Sequence, residues 1–460
     1  MRYFFVILFC AGLFARVAAQ QPGHALTVQV AGYHDSLLYL GNYYGSQTYV
    51  LDSARMDGQG TAVFRGDTAL PGGIYFILLP GKQRYFEFLL DRQQHFRIQA
   101  DTAGGRLQTR FSGSPDNEWF AEYNRFLQKQ QAALRNLPAD SVQRQRLSQD
   151  AFRQIRAYRQ QFAKAHPGTL MAALFRAMQD PAQEAGDGAA GDRGAAGHDS
   201  TARYRYLRAH YWDGVAFSDS RLVHTPILET RLEHYFRRLV PAQPDTINAE
   251  ADRLLARAKA SPEVFKFTLW WLSRTFGNSP YMGMDAVFVH LVEQYYMTGQ
   301  ATWLDQEQTR KLVDRAARIA PNLIGNKAPD LLLTGLDGKT VKLWDMPSRY
   351  TLLVFWDPDC SHCQQEVPRL DSAWRTSWRQ KGVGMLGVLT GDDPAAWKKF
   401  IETHHLEGWT HARDPDNRTG YRRLYDVYMT PVVYLLNADK KIIAKRLGVD
   451  ELARVLADEP

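Results

Sequence analysis

The chain has 460 residues, and its hydrophobic fraction of 45% and charged fraction of 23% are ordinary for globular protein. That length exceeds what one hydrophobic core usually serves, so we expect two or three domains. The formal net charge is +7, but charges of both signs are interspersed. This pattern favours solvated helix faces over a nucleic-acid surface, and no nucleic acid is expected as a partner.

The first 19 residues have the pattern of a cleavable signal peptide. Arg2 is followed by an apolar stretch, residues 3–14, that is too short to span a bilayer, and small residues precede Gln20. Cleavage after Ala19 would export the protein to the periplasm or cell envelope. The alternatives are an uncleaved anchor and a lipoprotein signal at Cys10. No later stretch has the ~18 consecutive apolar residues of a membrane-spanning helix, so none is expected in the mature chain.

Residues 20–112 are predicted to form a β-sandwich-like domain. Apolar and polar residues alternate there, and turn sequences such as DGQG and PGG separate the alternating stretches. This pattern predicts about seven strands. Their sequences are LTVQVAGY, SLLYLGNYY, TYVLDSA, TAVFRG, GIYFILLP, RYFEFLL and HFRIQA.

Residues 113–320 are predicted to form a helical domain. Ser114 can cap the first helix and Pro115 suits its first turn, and apolar residues then recur at helical spacing. The segment 181–200 is rich in glycine, alanine and aspartate and lacks that spacing. This composition indicates a flexible loop inside the helical domain.

Residues 321–460 alternate strand and helix patterns and therefore predict an α/β domain. A hairpin turning at Asp337 and Gly338 comes first, followed by two continuous apolar strands, YTLLVFWD and GVGMLGVLTG, of the kind buried on both faces of a sheet. Helix patterns follow both strands, and TPVVYLLNA and KKIIAKRLG predict two more strands. The sequence therefore predicts an all-β, an all-α and an α/β domain in that order.

Two closely spaced cysteines stand where the first buried strand gives way to a helix. If the signal peptide is removed, Cys360 and Cys363 are the remaining cysteines of the three, and so small a loop makes a poor structural disulfide. A sulfur at a helix N-terminus is stabilised as the thiolate, the form that attacks disulfides. His362 is a potential cation that could lower the first pKa further, whereas Asp357 and Asp359 oppose a thiolate.

Seventy residues later, Thr430 and Pro431 precede a buried strand, a position that suits proline and its cis isomer. Together with C-x-x-C at a helix start, this arrangement resembles the thioredoxin fold. More specifically, residues 321–460 resemble the TlpA/ResA-like thiol–disulfide oxidoreductases of the bacterial cell envelope. The residues that carry this resemblance are Asn326-Lys327-Ala328-Pro329-Asp330, Phe355-Trp356, and Glu366 and Pro368 after the cysteines. The larger envelope members also carry a β domain and a helical domain first.

The resemblance implies a set of roles. Cys360 would be the nucleophile, Cys363 the resolving thiol, and Pro431, with Thr430 before it, the cis-proline facing them. Glu366 would tune proton transfer, and Trp356 would end the strand before the cysteines. We therefore expect disulfide exchange with envelope proteins, supported by an upstream electron donor and needing no cofactor besides the cysteine pair.

The sequence leaves other readings open. Histidine at 362, between the cysteines, occurs in oxidising relatives of the fold, so the sequence leaves the direction of electron flow open between the expected reductase and an oxidase. A peroxidase would need threonine where Asp357 stands. Copper handling would use the two sulfurs with one of the histidines His362, His404, His405 or His411. The last alternative is a non-enzymatic envelope binding protein, and the first two domains could instead position the redox domain or form a homodimer.

Overall fold

The computed structural model describes residues 23–34, 36–81, 85–101, 107–135, 141–179, 181 and 200–459. The predicted signal peptide lies outside the described residues, as does the predicted loop apart from its end residues 181 and 200. The chain divides into two compact units, residues 1–235 and 236–460. The domain boundaries placed at 112 and 320 stay predictions.

Unit 1 begins with two four-stranded sheets, ordered β4-β1-β7-β8 and β3-β2-β5-β6. Residues of both sheets, among them Leu26, Leu40 and Phe88, form one buried cluster, so the sheets pack face to face. The sequence predicted seven of these strands and missed the eighth, which pairs with β7. The strands are β1 His24–Val30, β2 Leu37–Tyr44, β3 Gln47–Arg55, β4 Thr61–Gly66, β5 Gly73–Leu78, β6 Tyr85–Leu90, β7 His95–Asp101 and β8 Gln108–Ser112.

Helices follow the two sheets, as the sequence predicted. The first of them begins at Pro115, directly after Ser114, and its Asn117 side chain bonds both the N–H and the carbonyl of Leu89 in β6. The helices of unit 1 are α1 Pro115–Arg135, α2 Ser141–Ala165, α3 Leu170–Ala177, α4 Ser200–His210 and α5 Pro226–His234. The helices of unit 2 that precede its sheet are α6 Pro244–Ala258, α7 Pro262–Gly277, α8 Asp285–Leu291 and α9 Gln306–Ile319.

A seven-stranded mixed sheet ordered β10-β9-β13-β12-β11-β14-β15 completes unit 2. Its strands are β9 Leu332–Gly335, β10 Thr340–Lys342, β11 Tyr350–Trp356, β12 Val383–Leu389, β13 Thr410–Arg413, β14 Val432–Leu436 and β15 Ile442–Lys445. Its helices are α10 Ser361–Thr376, α11 Pro394–Thr403, α12 Tyr421–Leu424 and α13 Val449–Asp458. The three predicted fold classes are confirmed, and the last is thioredoxin-like. None of the helices in the described residues could cross a membrane.

Strand β11 is an interior strand of this sheet. All seven of its residues are buried, because it lies between β12, which is parallel to it, and β14, which is antiparallel. Its side chains alternate between two cores: Leu352, Val354 and Trp356 pack into one, while Leu353 and Phe355 pack into the other. The loop after Trp356 therefore begins at a strand that is fixed by two neighbouring strands and by a core on each face of the sheet.

A buried lysine ties the helical part of unit 2 to the edge strand β15. The Lys445 ammonium, 6% exposed, donates to the Asp285 carboxylate at 2.6 Å and to the carbonyl and side-chain oxygens of Asn322 at 2.9 and 3.1 Å. Burial lowers the pKa of Lys445, and the Asp285 charge opposes that shift. The lysine stays compatible with the interior because its partners replace the water it has lost.

Replacing that carboxylate should therefore destabilise unit 2. We expect Asp285→Asn to lower the free energy of unfolding by about 2–3 kcal/mol, since it leaves the ammonium buried beside neutral groups. Scanning calorimetry of the full chain measures this as a lower Tm. Asp314→Asn, at an exposed position on α9, is the control and should leave Tm unchanged. Adding Lys445→Met to Asp285→Asn should recover much of the loss. Equal Tm values for Asp285→Asn and Asp314→Asn would show that the Lys445–Asp285 ion pair does not contribute to stability.

Candidate active site

The first cysteine stands at the junction between β11 and α10. Cys360 is the N-cap residue of the helix, with extended backbone, and Ser361 is the first helical residue. A turn precedes it, in which the Cys360 N–H donates to the Asp357 carbonyl at 3.2 Å and the Asp357 carboxylate accepts the Asp359 N–H at 2.9 Å. The sulfur therefore lies beside the free N–H groups of the first helical turn, as the sequence predicted.

The register of β14 against β11 brings a distant proline to this sulfur. Phe355 lies opposite Val432 in the antiparallel pair, so the residues after β11 meet the residues before β14. The Thr430–Pro431 peptide bond is cis, and the Cys360 thiol donates to the Thr430 carbonyl at 3.2 Å. Two segments that are seventy residues apart in the chain thus form one site.

The environment of Cys360 favours its thiolate. Its residue is partly exposed, and what burial it has would raise the pKa. Contacts with the Thr430 side chain, the Cys363 thiol and the N–H groups of Cys363 and His362 outweigh that effect and lower the pKa of Cys360. The contribution of His362 to this shift comes through its backbone N–H.

The second cysteine lies in the opposite kind of environment. Cys363 is 0% exposed and belongs to the core that contains Trp356 and Val367. Burial raises the pKa of Cys363 to about 12, although the Asp357 N–H and the Thr430 side chain act against the shift. No disulfide joins Cys360 and Cys363 in this structure. The Cys360 sulfur is thus accessible and easily ionised, whereas the Cys363 sulfur is buried and protonated.

The other predicted site residues divide between the core and the surface. Trp356 is 0% exposed and packs on the Phe400 ring at 5.0 Å between centroids, so it supports the strand. His362 is exposed on the first turn of α10. Glu366 is partly exposed and accepts from Arg369 at 2.5 Å. The catalytic and supporting roles of these residues stay predictions.

A groove of about 370 Å³ opens beside the cis-proline. Glu366 and Pro431 line it together with apolar residues of β14 and of the turn before α13. Tyr428 and Met429 form part of its wall and are 64% and 83% exposed. No function was predicted for Tyr428 and Met429 from the sequence, although two large apolar residues directly before Thr-Pro are a signal for a contact surface.

The histidines considered for copper are spread across the domain. His404 caps the end of α11, and His405 follows it with a φ of 55°. His411 is buried in β13, where its Nε2 is 2.8 Å from the Leu406 carbonyl oxygen, and burial lowers its pKa. Within the described residues no group of three or more His, Cys, Asp or Glu side chains could hold a metal ion.

Three family models match the chain. Residues 324–445 match the AhpC/TSA family. Residues 25–120 and 196–322 match two families, each described as a domain of unknown function (DUF4369 and DUF5106, respectively). The AhpC/TSA match therefore covers the part of the chain that contains both cysteines and the cis-proline.

Two curated relatives and one solved structure are each similar to less than a third of the chain. A thiol-disulfide oxidoreductase ResA of Bacillus cereus is 27% identical over 125 residues, covering 27% of this chain and 70% of ResA. ResA of Bacillus subtilis is 25% identical over 119 residues, covering 26% and 64%. A solved domain of a possible thiol-disulfide isomerase from Cytophaga hutchinsonii is 41% identical with a TM-score of 0.29, covering 30% of this chain and 93% of that domain.

The contrast between the sulfurs predicts selective alkylation. In the reduced, folded protein at pH 8, iodoacetamide should modify Cys360 and leave Cys363 intact, because the latter's pKa is about 12 and it is buried. The rate at Cys360 should rise with pH through a pKa below the ordinary thiol value. Peptide mass mapping after timed quenching measures both. Cys363→Ser should label like wild type, and urea should expose both thiols. Equal labelling of the two cysteines in the folded protein would contradict the assignment.

Proposed function

Residues 324–445 form a thioredoxin-like domain of the AhpC/TSA family, and on that premise we propose that this thiol–disulfide oxidoreductase reduces disulfides of proteins in the cell envelope. Cys360 is the attacking sulfur and Cys363 the resolving one. The observation that carries the proposal is the opposite treatment of the two sulfurs, since an accessible thiol of lowered pKa stands beside a buried thiol of raised pKa.

The reaction moves two electrons from the dithiol to the substrate. The Cys360 thiolate attacks one sulfur of the substrate disulfide, whose S–S bond breaks, and the departing sulfur takes up a proton. Cys363 then loses its proton and attacks the Cys360 sulfur. The mixed disulfide breaks, the second substrate sulfur leaves, and a Cys360–Cys363 disulfide remains. A dithiol donor in the envelope returns two electrons and two protons.

The buried thiol needs a base at the moment it attacks. A pKa of about 12 keeps Cys363 protonated in the free protein, which holds Cys360 available for substrate. Glu366 lines the groove beside Pro431 and is the residue we assign to proton transfer there. This assignment follows from the resemblance of the C-x-x-C-x-x-E-x-P sequence and needs no cofactor.

The reducing direction follows from the resemblance to the TlpA/ResA-like oxidoreductases, whereas the two pKa shifts set which sulfur attacks and which resolves. Protein substrates are favoured over small disulfides because the site opens onto a groove with exposed Tyr428 and Met429. The charged, apolar and small-residue pattern of residues 1–19 supports an envelope location.

Replacing either cysteine should separate the two steps. Cys360→Ser should abolish reduction of insulin disulfides, followed as turbidity with dithiothreitol as the reductant. Cys363→Ser keeps the attacking sulfur and should accumulate mixed disulfides with envelope proteins. Acid quenching, followed by gels run with and without reductant, detects these adducts.

The double variant Cys360→Ser with Cys363→Ser is the matched control for trapping, because it cannot form any adduct through this pair. A Cys360→Ser protein that still reduced insulin, or a Cys363→Ser protein that trapped nothing, would exclude the proposed mechanism.

The proposed location has its own test. The protein recovered from the envelope fraction of its host should begin at Gln20, as read by N-terminal sequencing. Ala19→Trp places a bulky side chain at the cleavage position and should accumulate the precursor. Recovery of a full-length chain in the cytoplasm would contradict export.

A further inference from the structure

Helix α9, which precedes the redox domain (residues 324–445), contacts the loop that carries the cis-proline. Arg318 is on α9, before residues 324–445. Its Nε is 3.4 Å from the Asp426 Oδ1, and its guanidinium lies over the Tyr428 ring at 5.4 Å from the centroid. One side chain of the helical part of unit 2 therefore touches two residues of the segment 426–431 that ends at the site.

Asp426 is held from a second direction. Arg446, which follows β15, donates to the Asp426 Oδ2 at 2.5 Å and to its carbonyl at 2.9 Å. Asp426 and Arg446 both have left-handed backbone, with φ of 48° and 56°. Such conformations persist where surrounding contacts fix them, and they collect at functional sites. The Asp426 carboxylate thus bridges two arginines from different parts of unit 2.

The end of α9 is itself fixed to the redox domain. Asn322 follows the helix, and its side-chain amide donates to the Arg318 carbonyl at 2.6 Å and to the Leu424 carbonyl at 3.0 Å. Its oxygens accept from the buried Lys445. Arg318 therefore projects from a rigid support.

The loop beyond Asp426 carries both the exposed surface and the site. Tyr428 and Met429 are its most exposed residues, and the next residue, Thr430, accepts the Cys360 thiol through its carbonyl. A small shift of this loop would move the contact surface relative to the sulfur. An ion pair and a cation–π contact at its start oppose such a shift.

We propose that Arg318 is a positioning residue: by holding Asp426 and Tyr428, it orients the cis-proline loop so that a protein disulfide docks against Cys360. This inference rests on the proposed function. It gives the helical segment before the redox domain a role in substrate recognition. Arg318 acts on large substrates that contact the loop, and small disulfides reach Cys360 without it.

The test compares a large and a small disulfide in the full chain. Arg318→Gln should raise the KM for insulin, with kcat little changed, and lower kcat/KM about tenfold through misplacement of the docking surface. The rate constant for 2,2′-dithiodipyridine with the reduced enzyme should stay within about twofold of wild type. Arg318→Lys, which retains the positive charge, should recover part of the insulin activity. Arg310→Gln, at an exposed arginine on the same helix, is the matched control and should behave as wild type.

A double-mutant cycle identifies the contact. Asp426→Asn should also raise the KM for insulin. The double variant with Arg318→Gln should lose less than the sum of the two single losses, because both changes remove the Arg318–Asp426 contact. Additive losses, equal losses on both disulfides, or an Arg318→Gln variant that matches Arg310→Gln would overturn the inference. A wild-type protein that reacted with neither disulfide would instead contradict the proposed function.

Discussion

The pairing of β11 with β14 is the constraint on which the site depends. Because Phe355 lies opposite Val432, the chain leaves β11 at the place where the Thr430–Pro431 peptide enters the sheet. A slip of one residue would turn every side chain of β14 to the other face and would separate the Thr430 carbonyl from the sulfur. The two cores on either side of β11 exclude that slip, since each accepts one alternating set of side chains.

Burial then makes two identical side chains chemically different. Cys360 and Cys363 are three residues apart, yet Cys360 is the N-cap residue of α10 and Cys363 is buried in the hydrophobic core of the domain. Solvent and helix N–H groups stabilise the first as a thiolate, whereas the loss of solvent holds the second as a thiol. Disulfide exchange needs this difference, because one sulfur must attack the substrate first and the other must resolve the mixed disulfide afterwards. The fold produces the difference by placing the two cysteines at opposite ends of one helical turn, one near solvent and one in the core.

Local sequence patterns were enough to locate much of this arrangement. Continuous apolar runs predicted β11 and β12, and the resemblance to the thioredoxin fold implied that the cysteine loop meets the Thr430–Pro431 loop. Strand β13 was missed because its four residues, THAR, show neither an apolar run nor a clear alternation. Strand β8 was missed for a similar reason, since it is short and mostly exposed. Such strands form because a neighbour offers backbone partners, which is a tertiary effect.

The contacts around Asp426 lay beyond sequence reasoning for a different reason. A surface arginine on an amphipathic helix has the same pattern whether it faces solvent or a carboxylate from another element, so Arg318 gave no signal. Its partners come from 108 and 110 positions further along the chain, at residues 426 and 428. Exposed ion pairs usually contribute little. This one differs because its carboxylate is shared by two arginines and is 20% exposed, and because it lies five residues from Pro431, at the start of the segment that faces the reactive sulfur.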